Sequence, residues 1–436
     1  MDHLLDNILN KLTKQVDHAE VYAEKIISTD VDILNDKINH AKDEDIYGIG
    51  IRIFKDQKQG FAYTTNIDRI DETINQAINN SKLNHKDENL VMIDNSKKYS
   101  QIKGLYNKDV IDMDVEDAIE YSQTLIDLTK DAKCNPTSGG FSTTVSEIQI
   151  MNSNGIDVKE QQTGCGASIS VNVDDNDVVS SAYYYDLSHS VNIDLENIVQ
   201  KATKLALDSR NAKPTQTRDS NVILNHTAAV SLLGTFLSAI GSENVQRGRS
   251  LFKDKLEMQV ANENFTLTDD GTLDYALNSS IADGEGMPSE KTTLIEDGIL
   301  KSFIYDAYHA KKDEADVQTT ANAVRDSYSS TPSVGFTNLK LDFKDVVKVS
   351  DIQDGIIVDN VMGAHTANPI TGDFSVEVLN AFEIRNGEIA NPIKKGMISG
   401  NIFEIMKDAK AVDSEIRQVG SCITPQILAD NLRIIG

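Results

Sequence analysis

A chain of 436 residues with 42 Lys plus Arg against 68 Asp plus Glu carries a formal charge of −26, which repels nucleic-acid phosphates and anionic membrane surfaces. Hydrophobic residues at 39% and charged residues at 25% are ordinary for a globular protein, so the acid excess reads as a solvated surface and a disordered chain is excluded. The length predicts about three domains at roughly 150 residues each, and no run of about 18 apolar residues predicts a membrane span.

Leu4, Leu5, Ile8, Leu9, Leu12 and Val16 recur among charges, which predicts an amphipathic helix and no secretion signal. β-rich chain follows in AEVYAEKIISTDVDIL, YGIGIRIF and GFAYTTN, with a polar hairpin turn in FKDQKQG, and DRIDETINQAINNSKL closes the unit as a helix. A polar stretch from Ser81 puts the first boundary near residue 105. The same order then repeats. VEDAIEYSQTLIDLTKDAK is helical, TTVSEIQIMNSNGIDVKEQQ turns at Asn154 and Gly155, CGASISVNVDD and VVSSAYYYDL are strands, and DLENIVQKATKLALDSRN is helical. The match is one of element order and not of residues, and it predicts a duplicated α+β unit. Lys213 and Pro214 mark the second boundary.

From Asn221 the text changes to a strand VILN, a helix TAAVSLLGTFLSAIG, and many short β-like runs separated by Asp-Gly, Asn-Gly and Pro turns. This predicts a large β-rich, barrel-like domain. The fold class is therefore α+β: an N-terminal α+β domain over 1–105, a central one over 106–215 and a β-rich domain over 216–436.

The eight histidines include none followed by Glu, so an H-E-x-x-H zinc helix is absent. Gly48 and Gly50 lie in a strand-like run with no helix after them, so there is no nucleotide-binding loop. Ser399 in ISGN lacks the first glycine of a hydrolase elbow. Cys134, Cys165 and Cys422 are scattered, with no C-x-x-C pair, which supports neither a disulfide framework nor a zinc ribbon and makes a reducing, intracellular setting the expectation.

Four segments of the last domain carry candidate chemistry. Asp283 and Glu285 in IADGEGMPSEKTTLIEDG are separated by one glycine and either bind a cation or amine together or lie solvated in a turn. Arg325 in QTTANAVRDSYSSTPSVGFTNL either clamps a peptide carboxylate or makes a surface ion pair. In GAHTANPITGDFSVE, His365, Asn368, Thr371, Asp373 and Ser375 converge as donors and acceptors around Gly363, Pro369 and Gly372. They suit an extended backbone, the alternative being a turn held by its own Asn and Thr side chains. Cys422 in GSCITPQI is either a soft-metal ligand or a small buried hydrophobe.

The succession DGEGMPSEKTTLIEDGILKSFIYD, TTANAVR, PSVGFTNL, GAHTANPITGDFS and SGNIFE resembles the TldD/PmbA family, and within it the PmbA (TldE) branch, along the whole chain. The resemblance implies a cytoplasmic zinc metalloprotease of two related chains that processes or degrades unfolded peptides. Zinc sits there on an H-E-x-x-x-H helix of the TldD chain, with a cysteine near the C-terminus as a further ligand. The corresponding helix here is AAVSLLGTFLSAIG, where Gly234, Thr235 and Ser238 stand in the region of those ligands and cannot replace them. The expected role is that of the catalytically silent subunit, with no catalytic or metal residue and no cofactor of its own. His365, Asn368, Thr371, Asp373, Ser375 and Arg325 would contact substrate, and zinc would be held by a TldD-like partner in a heterodimer, or the chain pairs with itself. Two rivals stay open: a homodimeric metallopeptidase using Asp283, Glu285, His365 and Cys422, and a regulatory protein without proteolytic activity, after descriptions of this family as modulators of DNA gyrase.

Overall fold

The computed structural model describes residues 2–94, 97–175, 178–315 and 317–436. The N-terminal half forms one sheet from six strands: β1 (His18–Leu34), β2 (Lys37–Lys55), β3 (Lys58–Thr64), β4 (Asn135–Asn152), β5 (Asp157–Asp175) and β6 (Val178–Ser188). Their spatial order is β3-β2-β1-β4-β5-β6, so the two repeated units join edge to edge through the antiparallel β1–β4 pair. Each unit contributes a helix, a three-strand meander and a helix: α1 (Asp2–Leu12) and α2 (Ile70–Leu83) in the first, α3 (Val115–Asp131) and α4 (Leu195–Asp208) in the second. The β2–β3 hairpin turns at Asp56 and Gln57, both with positive φ, and Gly155 at φ 96° turns β4 into β5.

Period-two alternation decides what each sheet face meets. Ala19, Val21 and Ala23 of β1 and Ile49, Ile51 and Ile53 of β2 pack with Leu5, Ile8 and Leu12 of α1 and with Ile70, Ile74 and Ala77 of α2. The intervening residues, Glu20, Tyr22, Gly48, Gly50 and Arg52, point the other way, toward the C-terminal domain. The glycines are there for close approach: a Cβ on Gly48 would sit 2.2 Å from the Tyr328 ring, and one on Gly50 2.3 Å from the Tyr328 carbonyl oxygen.

In the C-terminal half, five strands close into a barrel: β7 (Arg218–Leu224), β8 (Asp354–Met362), β9 (Asp373–Arg385), β10 (Met397–Asn401) and β11 (Cys422–Ile435). Closure runs β7-β8-β9-β10-β11 and returns through the antiparallel β11–β7 pair. β11 also carries the sheet outward through Leu339–Phe343 to Phe265–Asp270 and Lys291–Glu296. α5 (His226–Ser238) follows β7, and the Asn225 side chain caps its start by accepting the His226 N–H at 2.9 Å. Its buried face, including Leu232, Leu233, Phe236 and Leu237, packs into the main core with barrel residues.

Candidate functional site

The loop between β8 and β9 turns at Gly363 (φ 92°) and Gly372 (φ 81°), and a Cβ on Gly372 would lie 2.4 Å from the Phe403 ring. His365, Asn368 and Thr371 are exposed on it, and Asp373 and Ser375 are exposed at the start of β9 that follows. Several of these groups serve one another. Asn368 Oδ1 accepts the N–H groups of Ile370 (2.9 Å) and Thr371 (3.0 Å), while Thr371 Oγ1 and Asn401 Nδ2 donate to the Asp373 carboxylate at 2.7 and 2.8 Å. Those two bonds hold Asp373 below the ordinary carboxylate range. The loop is thus a turn fixed by its own side chains that still presents the His365 ring and the Ser375 hydroxyl to solvent.

Arg325 lies elsewhere in the fold, with its side chain only 2% exposed. It pairs with Glu20, donates to the carbonyls of Gly284 (2.6 Å) and Ser330 (3.0 Å), and stacks 4.8 Å above Tyr22. The guanidinium is therefore committed between the N-terminal sheet and the segment holding Asp283 and Glu285. Glu285 does hold a cation, and that cation is Arg52. Arg52 reaches Glu285 at 3.1 Å and forks onto Glu20 at 3.0 and 2.7 Å. Burial raises Glu20, yet Arg325 and Arg52 outweigh it and leave the carboxyl below its ordinary range. Glu285 stays raised, because burial exceeds the pull of Arg52.

Asp283 accepts the N–H groups of Glu285 and Met287 at 2.9 Å and of Ala323 at 3.2 Å, and burial first, then the Glu285 charge, push it up to about 7. A carboxyl raised above its unfolded value of about 3.9 binds its proton more tightly in the native state, so its contribution is present at low pH and is lost as pH rises through about 7. Asp283→Asn should accordingly lose less stability than the wild type between about pH 5 and pH 8. Thermal midpoints across that range would test this, and equal slopes for the two chains would refute it.

Cys422 is buried in the barrel core, and burial pushes its thiol up to about 11. His365 is exposed and Asp283 and Glu285 are saturated, so the four candidate ligands are not gathered in this chain; among the described residues no three His, Cys, Asp or Glu side chains gather as a metal site. On the outer face of α5, Gly234 has open space where a Cβ would point, and Ser238 Oγ donates back to the Thr235 carbonyl at 2.9 Å. That face offers no imidazole or carboxylate, so its donor set does not fit zinc.

Sequence reasoning missed a groove between the central unit and the barrel. One part, about 580 Å³, is lined by Tyr184 and Lys201 on one side and by Asn225, His226, Asp359 and Arg417 on the other. Burial lowers His226 and raises Asp359, although Asn225 Nδ2 donates to Asp359 at 2.6 Å. The adjoining part, about 830 Å³, lies along β6 and shares Asp359 and Asn380 with the first. The one local signal in the sequence is the aromatic run Tyr183–Tyr185.

Three family models match the chain: the PmbA/TldA metallopeptidase domain 1 over residues 19–81, the central domain over 108–210 and the C-terminal domain over 217–436. An uncharacterized protein of Methanocaldococcus jannaschii is 36% identical over 97% of this chain and 98% of its own length. A metalloprotease PmbA homolog of Haemophilus influenzae is 24% identical over 97% and 93%. The crystal structure of TldE from Thermococcus kodakarensis superposes with a TM-score of 0.92 at 27% identity, covering 99% of this chain and all of that one.

Proposed function

Since the chain belongs to the PmbA/TldD metallopeptidase family, we propose that it is the catalytically silent, TldE-type subunit of a two-chain zinc metalloprotease acting on unfolded peptides in the cytoplasm. The observation that carries this reading is the outer face of α5, where Gly234, Thr235 and Ser238 provide no zinc donors. The similarity to TldE along the full length supports it. No helix among the described residues is long and apolar enough to cross a membrane. Catalytic zinc belongs to a TldD-like partner, and this chain completes the substrate path. The β8–β9 loop borders that path, with His365, Asn368, Thr371, Asp373 and Ser375 available to an extended backbone.

The test is to purify the chain alone and together with a TldD-like chain, then to measure zinc by elemental analysis and cleavage of an unfolded peptide in the same samples. Zinc and chelator-sensitive cleavage should occur only in the mixture. Near-stoichiometric zinc with cleavage in the lone chain would overturn the reading. His365→Ala and Asp373→Ala should each lower cleavage by the pair about tenfold, equivalent to about 1.4 kcal/mol, without preventing assembly. Unchanged rates would remove the loop from the substrate path.

A further inference from the structure

β6 is the last strand of its sheet, and among the described residues it pairs only with β5. Its other edge faces the groove. Two side chains reach across: Asn380 Nδ2, from barrel strand β9, donates to the Ser181 carbonyl at 2.9 Å, and Arg417 Nη2, from the strand Lys410–Val419 that pairs with β11, donates to the Tyr185 carbonyl. Ser181 and Tyr185 therefore turn their backbone outward, and by the alternation of an antiparallel ladder so does Tyr183 between them. Among the described residues nothing bonds the Tyr183 N–H or carbonyl on that side. The two donors sit about 13 Å apart along the strand at roughly 3.3 Å per residue. They stand where the N–H groups of a neighbouring strand would stand.

Asn380 is set up for this task. It adopts φ 48° within β9, a left-handed conformation that Asn tolerates, and it also bonds Ser209 Oγ at 2.9 Å. Arg417 lies 4.3 Å from the Tyr184 ring and 4.9 Å from that of Tyr185. The charge of the groove departs from that of the rest of the surface. Lys201, Lys204, Lys213, Lys394, Lys395 and Arg417 line it against only four acids, whereas the whole chain has 42 basic and 68 acidic residues. An open strand edge accepts an extended chain of any sequence through main-chain bonds, and the local basic excess favours an acidic one.

We propose that the groove between β6 and the barrel docks an extended acidic polypeptide segment, which adds to β6 at Tyr183 and takes the places of the Asn380 and Arg417 side chains. The site lies in this chain alone and needs neither zinc nor a partner subunit, so it stands or falls separately from the role proposed above.

The probe is a short dye-labelled peptide of alternating Glu and Thr, with its Lys and Thr counterpart as control, titrated by fluorescence anisotropy against the lone chain. The acidic peptide should bind more tightly, and more weakly as salt is raised. Lys394→Glu with Lys395→Glu, both exposed, should weaken it about tenfold. Asn380→Gly, which keeps the backbone conformation and removes the competing donor, should tighten it. N-methylation of alternate peptide amides should abolish binding in one register and spare it in the other, a test that leaves the protein unaltered. Equal affinity for the two peptides, or indifference to both variants, would overturn the proposal. So would binding that vanishes as the chain self-associates, which would assign the groove to a second copy.

Discussion

Replacing Arg52 with Met should cost the fold about 3–5 kcal/mol, the range for removing one partner of a buried ion pair. The guanidinium bonds Glu20 at 3.0 and 2.7 Å and Glu285 at 3.1 Å, with its side chain 6% exposed. Without it Glu20 keeps Arg325, but among the described residues Glu285 is left with only the Ala307 N–H at 3.0 Å. The loss therefore falls on an uncompensated buried carboxylate, and its sign with pH follows. Glu285 is already raised in the native protein and would rise further, so the variant should recover stability as pH falls and lose it as pH rises. Adding Glu285→Gln to the variant should restore part of the loss, because a neutral amide is far cheaper to bury than a lone charge. Denaturant unfolding of the three chains would show this; a loss under about 1 kcal/mol for the single variant would mean that water reaches the network.

That network also marks where the sequence stops being legible. The Asp56–Gln57 and Asn154–Gly155 turns and the α5 pattern are local signals, and the structure forms all three where the residues indicate. The duplicated element order was readable for the same reason. The joining of the two units through β1 and β4 was not, because strand pairing across more than a hundred residues of chain leaves no local mark. Gly48 and Gly50 read only as unusual strand glycines until Tyr328 is seen against them. Asp283 and Glu285 stood out as a pair of acids in a glycine-rich segment, but both are buried and, among the described residues, share no cation: Asp283 takes N–H groups of its own turn and of Ala323, while Arg52 and the Ala307 N–H, from distant segments, meet Glu285. Arg325 read as a clamp for a peptide carboxylate or a surface ion pair because Glu20, its buried counter-charge, is likewise distant in sequence. The β8–β9 loop was legible both ways: its polar density marks a presented surface, and the same residues fix its turn.

α5 gives the sharpest contrast between a face that holds the fold and one that does not. Phe236 is fully buried, with ring centroids 5.2 Å from Phe252, 5.7 Å from Phe403 and 6.4 Å from Phe265. Phe236→Ala removes the shared centre of that cluster, and neighbours drawn from three separate segments cannot all close on the void, so the expected cost is about 3–5 kcal/mol. Two residues earlier, Gly234 has nothing within 4 Å of where a Cβ would lie. Gly234→Ala should therefore stabilise the chain by about 0.5–1 kcal/mol, the ordinary gain of replacing glycine inside a helix. Denaturant midpoints moving in opposite directions for these two variants would show that the inner face alone anchors the helix. A loss of stability on Gly234→Ala would instead mean that the outer face is packed and that both faces of the helix hold the fold.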